Sequence, residues 1–456
     1  MEIDLLLKNI CEKETGHQIY NINIKGIPLY NFIRQDLRTK YLKLHGVKCM
    51  DLASAIDIRK TLISAFMSIC HVSKLLFFPR CRSNVFIAFS RIDRIGSYYC
   101  DKFTDPFIDY SNIGSDYIIF EHGRRGVHSR PRLHGNHIIY SDIITITARL
   151  ISILLSPFFK YKYKVELTLL FSSLYSIYGK EIINEKQIAR SLLSSLLSTK
   201  QYKFLFGKIR ARRIFAPVRP VEEFVAARQL NMRCYEMQHG ITYGETVIYS
   251  GYSEKMITPD FFLAFGDNDP KNVYGIEEDK IFNVGWPFSE YNVGFTYTHE
   301  CNKKDVLVIS EPEVSEAIIS AVLKLAKVNP ENRFYIRPHP HENYNEDQIR
   351  KIHSLPNITV QDNKINISVV LQSFENIIGE NSTALYEALS LNRKVGKLFF
   401  EGLHPIYLNS NDKKSFGEIY SFEDFTNFLK ESNTYIPKRN IYSRFNKDLF
   451  NRLVQE

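Results

Sequence analysis

No CxxC pair occurs in this 456-residue chain, and its seven cysteines are scattered and odd in number. That argues against a disulfide framework or a zinc ribbon and for free thiols in a reducing compartment. The N-terminal stretch "MEIDLLLKNICEKETG" lacks the basic start and long apolar core of a secretory signal. Clean apolar runs of the roughly 20 residues a membrane span needs are also missing. The longest, "IITITARLISILLSPFF" (143–159), contains Arg149 and Pro157, and "TLISAFMSICHVSKLLFFPRCR" (61–82) closes on Lys74, Arg80 and Arg82. We expect both to be ordinary buried helices. The alternative is that apolar helices flanked by Lys and Arg lie on an anionic membrane face. The formal charge is +9, but long Lys/Arg runs and nucleic-acid recognition motifs are lacking, so nucleic acid is not expected as a partner. Short-period repeats are missing too.

What is present is a folded composition, 44% apolar and 24% charged, in a chain long enough for two cores. Residues 1–80 read as mostly helical, with strands at 83–90, 115–123 and 136–142 and helix across 143–205. From 211 a regular alternation begins. Strands at 211–220, 232–240, 260–267 and 278–287 are separated by helices at 221–231 and 269–276. The segment 287–305 is polar and weakly patterned, a linker. The alternation then resumes from "DVLVIS" (305–310) to a closing helix at 422–432. Alternating strand and helix predicts parallel sheets covered on both faces. The expected fold class is therefore α/β: two Rossmann-like domains facing across a cleft, with a helical N-terminal elaboration. The domains are 1–290 and 305–432, followed by a helical tail at 433–456.

Ligands of such sheets sit at the carboxyl ends of the strands, and the polar motifs fall there. In "YIRPHPHE" (335–342) a strand ends on Arg337, and prolines stiffen the turn that carries His339 and Pro340. Guanidinium and imidazole donors so placed suit a phosphate or carboxylate. The pair His339 and His341 has no Asp, Glu or Cys cluster beside it, so no metal is expected. In "NIIGENSTALYEALSLNRKV" (376–395), Ser382 and Thr383 open a helix whose N–H groups can hold a phosphate, and Glu387 lies on the same face for a ribose. In "EMQHG", Gln238, His239 and Gly240 end a strand. Gly240 would allow a tight turn presenting His239, whose imidazole can take a proton from an attacking hydroxyl. A second "HG" in "IIFEHGRRG" makes Glu121 and His122 alternative bases, with Arg124 and Arg125 as phosphate contacts and further basic residues in "HSRPRLHGNH" (128–137). Glu311 and Glu313 lie in a loop before a helix, as acids complementing its dipole.

These motifs resemble a family. "QHG", "FLAFGDNDPKNVYGI" and "KIFNVGWP", followed by "RPHP" and "GENSTALYEAL", look like GT-B glycosyltransferases of bacterial capsule and lipopolysaccharide synthesis. The CMP-sialic acid and CMP-Kdo transferases are among them. In those enzymes the histidine–proline and Ser/Thr motifs bind the donor nucleotide's phosphate, which here implies His339, Pro340, Ser382 and Thr383. The histidine–glycine base of CDP-glycerol glycerophosphotransferases is similar to His239 and Gly240, and their R-x-H to Arg337 and His339. The resemblance implies a metal-independent glycosyltransferase with no cofactor beyond a nucleotide-sugar donor, a CMP-sugar being favoured. Its acceptor would be a glycan or lipid-linked glycan in capsule or O-antigen synthesis. The expected location is cytoplasmic, with peripheral contact at the inner membrane face. Alternatives are a CDP-glycerol or ribitol-type polyol phosphotransferase, a sugar-nucleotide epimerase, and a non-catalytic assembly scaffold.

Overall fold

The computed structural model describes residues 2–47, 58–79, 81–89, 92–123, 127–240, 246–251, 254–266, 275–288, 302–340, 342–362, 365–407, 410–431 and 442–455. The chain forms two compact units: residues 1–264, 268–284 and 446–456, and residues 265–267 with 285–445.

The first unit holds seven parallel strands: β1 (Asn84–Ile87), β2 (Tyr117–Glu121), β3 (Ile138–Tyr140), β4 (Arg213–Pro217), β5 (Arg233–Met237), β6 (Phe261–Ala264) and β7 (Ile281–Asn283). Their order is 3-2-1-4-5-6-7. The first six follow the Rossmann order, so the crevice where the order reverses lies between β1 and β4. Apolar runs explain the strands. "YIIFE" is buried at every position, as a strand covered on both faces must be. Val85 sits between Ile118 and Ile214 in the ladder.

Among the described residues, eight helices precede the second sheet: α1 (Glu2–Gly16), α2 (Arg34–Leu44), α3 (Ile58–Phe77), α4 (Asp105–Tyr110), α5 (Asp142–Lys162), α6 (Lys164–Tyr178), α7 (Glu185–Lys208) and α8 (Val221–Arg228). The N-terminal elaboration is organised around a buried ion pair. Arg38 contacts Glu14 at 2.5 Å, and Tyr178 donates to the same carboxylate at 2.7 Å. Such a pair tolerates burial only because its remaining lone pairs are taken. Two hairpins, Asn23–Ile24 with Ile27–Pro28 and Ile92–Ile95 with Tyr98–Asp101, lie where the sequence reading placed no strand.

The expectation that the two apolar stretches are buried helices is wrong. Only 17% of α3 and 33% of α5 is buried, although both are long and apolar enough to cross a membrane. Ile144, Ala148, Ser152 and Ser156 of α5 face inward, while Leu150, Leu154, Leu155 and Phe158 face out. The inward stripe is small because α7 packs along it.

The second unit repeats the plan with β8 (Asp305–Ile309), β9 (Arg333–Arg337), β10 (Ile358–Val360), β11 (Asn376–Gly379), β12 (Lys394–Leu398) and β13 (Gly417–Ile419). The order β10-β9-β8-β11-β12-β13 is again Rossmann, reversing between β8 and β11. Its helices are α9 (Ser315–Val328), α10 (Glu346–Ile352), α11 (Ile367–Gln372), α12 (Thr383–Ser390) and α13 (Phe422–Lys430). The last helix, α14 (Lys447–Gln455), belongs to the first unit, where Phe450 packs against Phe107 and Phe215. Two doubly wound α/β domains are therefore present.

Candidate functional site

At the carboxyl edge of the first sheet, the β1–β4 crevice gathers a connected polar chain. Val218, just past β4, has φ +64°. A β-branched residue in the left-handed region costs about 1–3 kcal/mol. The kink is followed at once by Arg219, whose Nε meets Glu236 Oε2 at 2.9 Å. Glu236 is wholly buried on β5 and accepts from the Tyr249 hydroxyl at 2.6 Å. Arg219 also lies 4.8 Å over the Tyr249 ring. Burial, followed by the Glu236 carboxylate, pushes the Tyr249 phenol far up, so it keeps its proton. The Tyr249 oxygen lies 3.3 Å from His239 Nδ1, and the His239 ring lies 5.4 Å from that of Phe89, just past β1.

This chain fixes a tautomer. Tyr249 has one hydroxyl proton, and a carboxylate can only accept. With that proton on Glu236, the bond to His239 requires Nδ1–H to donate to the tyrosine oxygen. The basic lone pair of the imidazole then sits on Nε2.

Gln238 is buried. Its N–H donates to Leu263 O and its side-chain amide to Gly240 O, each at 2.9 Å, which shapes the turn. Gly240 itself has no positive φ, and a Cβ there would meet nothing within 4 Å. The reading that glycine freedom presents His239 is therefore corrected: Gln238 and Tyr249 hold it. Residues 241–245 lie outside the described residues.

Glu121 ends β2 buried among cations. His128 Nδ1 lies 2.8 Å from Oε1, and Arg132 Nε 3.0 Å from Oε2. His128 also meets Asp142 at 2.8 Å, and Arg132 lies 3.4 Å from Asp105. Oε1 is hydrogen-bonded to His128, while Oε2 has the Arg132 ion pair without a hydrogen bond, so both oxygens face a cation. His122 is half-exposed, and its Nε2 lies 2.8 Å from Thr145 Oγ1. Arg124 and Arg125 lie outside the described residues.

In the second unit the predicted donor residues lie at the carboxyl edge. Arg337 donates to the carbonyls of Asp362 and Ile365, tying in the loop after β10. The His339 N–H donates to Glu342 Oε2 at 2.8 Å, and Ser310 donates to Oε1 at 2.8 Å, so Glu342 staples the "RPHP" turn to the end of β8. Pro340 is exposed on that turn, and His341 lies outside the described residues. Ser382 caps α12 by accepting from Ala384 N–H at 3.4 Å. Thr383, exposed, lies beside the half-buried Tyr442, and Glu387 accepts from Ser368.

Glu311 occupies the β8–β11 crevice. Its Oε1 accepts from Asn381 N–H at 2.8 Å, and it also takes the Ser382 N–H. It thus engages N–H groups that would otherwise face an anion. Burial pushes this carboxyl up to about 7, Glu380 adds to the rise, and the two N–H bonds and Lys397 oppose it. Lys397, fully buried on β12, donates to Glu380 O at 2.8 Å. It lies 4.9–5.5 Å from the ring centroids of Phe416, Tyr386 and Tyr407. Burial pulls its amine down to about 8.

No family model matches the chain, and no curated protein does. Among solved structures, similar ones include the UDP-GlcNAc 2-epimerase of Methanocaldococcus jannaschii, with TM-score 0.48, 10% identity and coverage of 82% of this chain and 98% of that one. The Neisseria meningitidis UDP-GlcNAc 2-epimerase bound to UDP-GlcNAc gives 0.47, 12%, and 82% and 100%. The glycosyltransferase of kitacinnamycin gives 0.44, 8%, and 82% and 94%. Likeness at this level supports no argument about chemistry, and the two-sheet assignment stands on strand order alone.

Proposed function

We propose that the chain is a glycosyltransferase that moves a sugar from a nucleotide-activated donor, a CMP-sugar being favoured, to a glycan or lipid-linked acceptor. The observation that carries this reading is the Arg219–Glu236–Tyr249–His239 chain, which leaves His239 Nε2 as the base. In the reaction, Nε2 takes the proton of an acceptor hydroxyl as its oxygen attacks the anomeric carbon. The bond from that carbon to the phosphate breaks, and the nucleotide leaves. The donor is assigned to the second unit, with the His339 turn and the Ser382–Thr383 helix start nearest its phosphates. The sequence resemblance to capsule and lipopolysaccharide enzymes is what points the acceptor towards surface polysaccharide.

The exposed faces of α3 and α5 support work at a membrane surface. Phe66 is 67% and Leu154 77% exposed, among a dozen other apolar side chains on these helices and α6. Arg59, Lys60 and Lys74 accompany α3, and Lys160, Lys162 and Lys164 the α5–α6 junction; α3 carries no acid. An apolar stripe with a basic rim complements an anionic bilayer lying against it.

The test is a melting-temperature screen with CMP, CDP, UDP and GDP and their sugars, followed by product analysis. A ligand that binds only the folded state raises the melting temperature. We expect one nucleotide to stand out, its shift to be lost in His339→Ala and kept in His239→Ala, and the latter to form glycosidic product about 10²–10⁴-fold more slowly. A phosphodiester product would move the reading to polyol-phosphate transfer, and no shift with any nucleotide would refute it.

A further inference from the structure

A cavity of about 610 Å³ in the first unit belongs to neither cluster above. It is lined by residues of α5, α7 and the start of α8, together with His122. His122 follows β2 and α8 follows β4, so the cavity opens at the carboxyl edge where this fold takes ligands. The Ser-rich "SLLSSLLST" of α7 has its reason here. Ser191, Ser194 and Ser198 line the cavity from α7, and Ser152 and Thr145 line it from α5, where the Ser152 hydroxyl donates to Arg149 O and that of Thr145 pairs with His122 Nε2.

Two arginines line the same space, Arg149 and Arg190. Among the described residues neither is ion-paired; Arg149 is exposed, and Arg190 is half-buried with its Nε a buried donor without a hydrogen-bond partner. A buried unpaired guanidinium N–H is costly unless a ligand meets it. Opposite them sit two carboxyls. Glu222 accepts from Ser195 Oγ at 2.6 Å, and burial with Glu222 alongside pushes the Glu223 carboxyl up to about 7. Guanidinium pairs recognise phosphate by forked hydrogen bonds. A hydroxyl row and carboxyl acceptors recognise a polyol. One molecule carries both groups.

We infer that this cavity binds a phosphorylated sugar, its phosphate on Arg149 and Arg190 and its hydroxyls against the α7 serines, Glu222 and Glu223. Ile153 lines the cavity and is itself half-exposed beside Leu150 and Leu154, so the cavity borders the apolar face of α5. A phosphorylated sugar could come free from solution or as the head of a lipid. Its role as acceptor rests on the transferase reading; its binding does not.

The experiment uses the full chain without any donor nucleotide, so its outcome is separate from that of the nucleotide screen. Calorimetry compares a hexose 1-phosphate, the hexose and inorganic phosphate. A second arm measures binding to neutral vesicles with and without a long-chain alkyl phosphohexose. The sugar phosphate should bind more tightly than either of its parts. Arg190→Gln and Arg149→Gln should each weaken it by about tenfold or more with the melting temperature kept. A gain on doped vesicles that Arg190→Gln removes assigns the lipid-borne form; binding confined to the free compound assigns the soluble one. No binding in either arm, binding undiminished in both variants, or inorganic phosphate binding as tightly as the sugar phosphate would overturn the inference.

Discussion

Tyr249→Phe separates the two jobs of the buried chain behind His239. The variant removes one oxygen, 2.6 Å from Glu236 Oε1 and 3.3 Å from His239 Nδ1, and changes little else in shape. Glu236 loses a hydrogen bond to a wholly buried carboxylate and keeps Arg219. Bonds to charged groups contribute about 1.5–3 kcal/mol, so the melting temperature of the first unit should fall by roughly 3–10 °C. The catalytic loss has a different origin. Without the tyrosine oxygen, the contact described above that holds the proton on Nδ1 is gone, and Nε2 is no longer obliged to be the base. A positioned base contributes about 10²–10⁴-fold, and losing its orientation should remove a tenfold to hundredfold part of that from kcat. Affinity for the nucleotide should not change. The decisive assay is a double-mutant cycle with His239→Ala, read in kcat at a temperature where every variant is folded. If Tyr249 acts through His239, adding Tyr249→Phe to His239→Ala costs nothing further in rate. An additive loss, or full kcat in Tyr249→Phe despite the lower melting temperature, would refute the argument.

Other outcomes follow from the same structure. Asp101 and Asp105 are each pushed up to about 7 by burial, Asp101 further by its neighbour Asp105, with Arg132 opposing in both. A raised carboxyl supports the fold below its unfolded value and loses that support as pH climbs through 7. Asp101→Asn should therefore raise the melting temperature at pH 8 and leave it unchanged at pH 4, by calorimetry. Glu311, raised to about 7, is a carboxylate at pH 8 and mostly neutral at pH 6. Nucleotide affinity should then improve from pH 8 to pH 6 in the native chain and stay flat in Glu311→Gln. Leu154→Glu and Phe66→Glu should each weaken flotation with anionic vesicles several-fold while leaving the melting temperature unchanged, since both side chains are exposed. Gly285→Ala should destabilise the second unit, because a Cβ there would lie 2.2 Å from Arg444 O at a φ of +82°.

The alternation of apolar strands and amphipathic helices made both sheets legible, because a strand buried on two faces has little choice of residue. The short hairpin 92–101 was not, since Arg94 and Tyr98 are exposed and no periodic apolar face marks it. The exposed faces of α3 and α5 were misread for the opposite reason. Apolar composition says that a helix avoids water, without saying whether protein or something else covers it. The site was partly legible. His239 stood out as a histidine at a strand end, but its supporting residues did not, although the signal was there. Glu236 in "RCYEM", Glu121 in "YIIFE" and Lys397 in "KVGKL" are buried charges in strands otherwise rich in apolar residues. Burying an unpaired charge costs far more than one strand residue can return, so each such position demands a partner from elsewhere in the fold. The partners are Arg219 with Tyr249, His128 with Arg132, and a carbonyl within a box of aromatic rings. Two of those charges adjoin a strand's carboxyl end and the third lies beside the second crevice, where this fold takes its ligands. A charge tolerated at that edge is more informative than a histidine in a turn, because the turn could hold any polar residue and the strand could not.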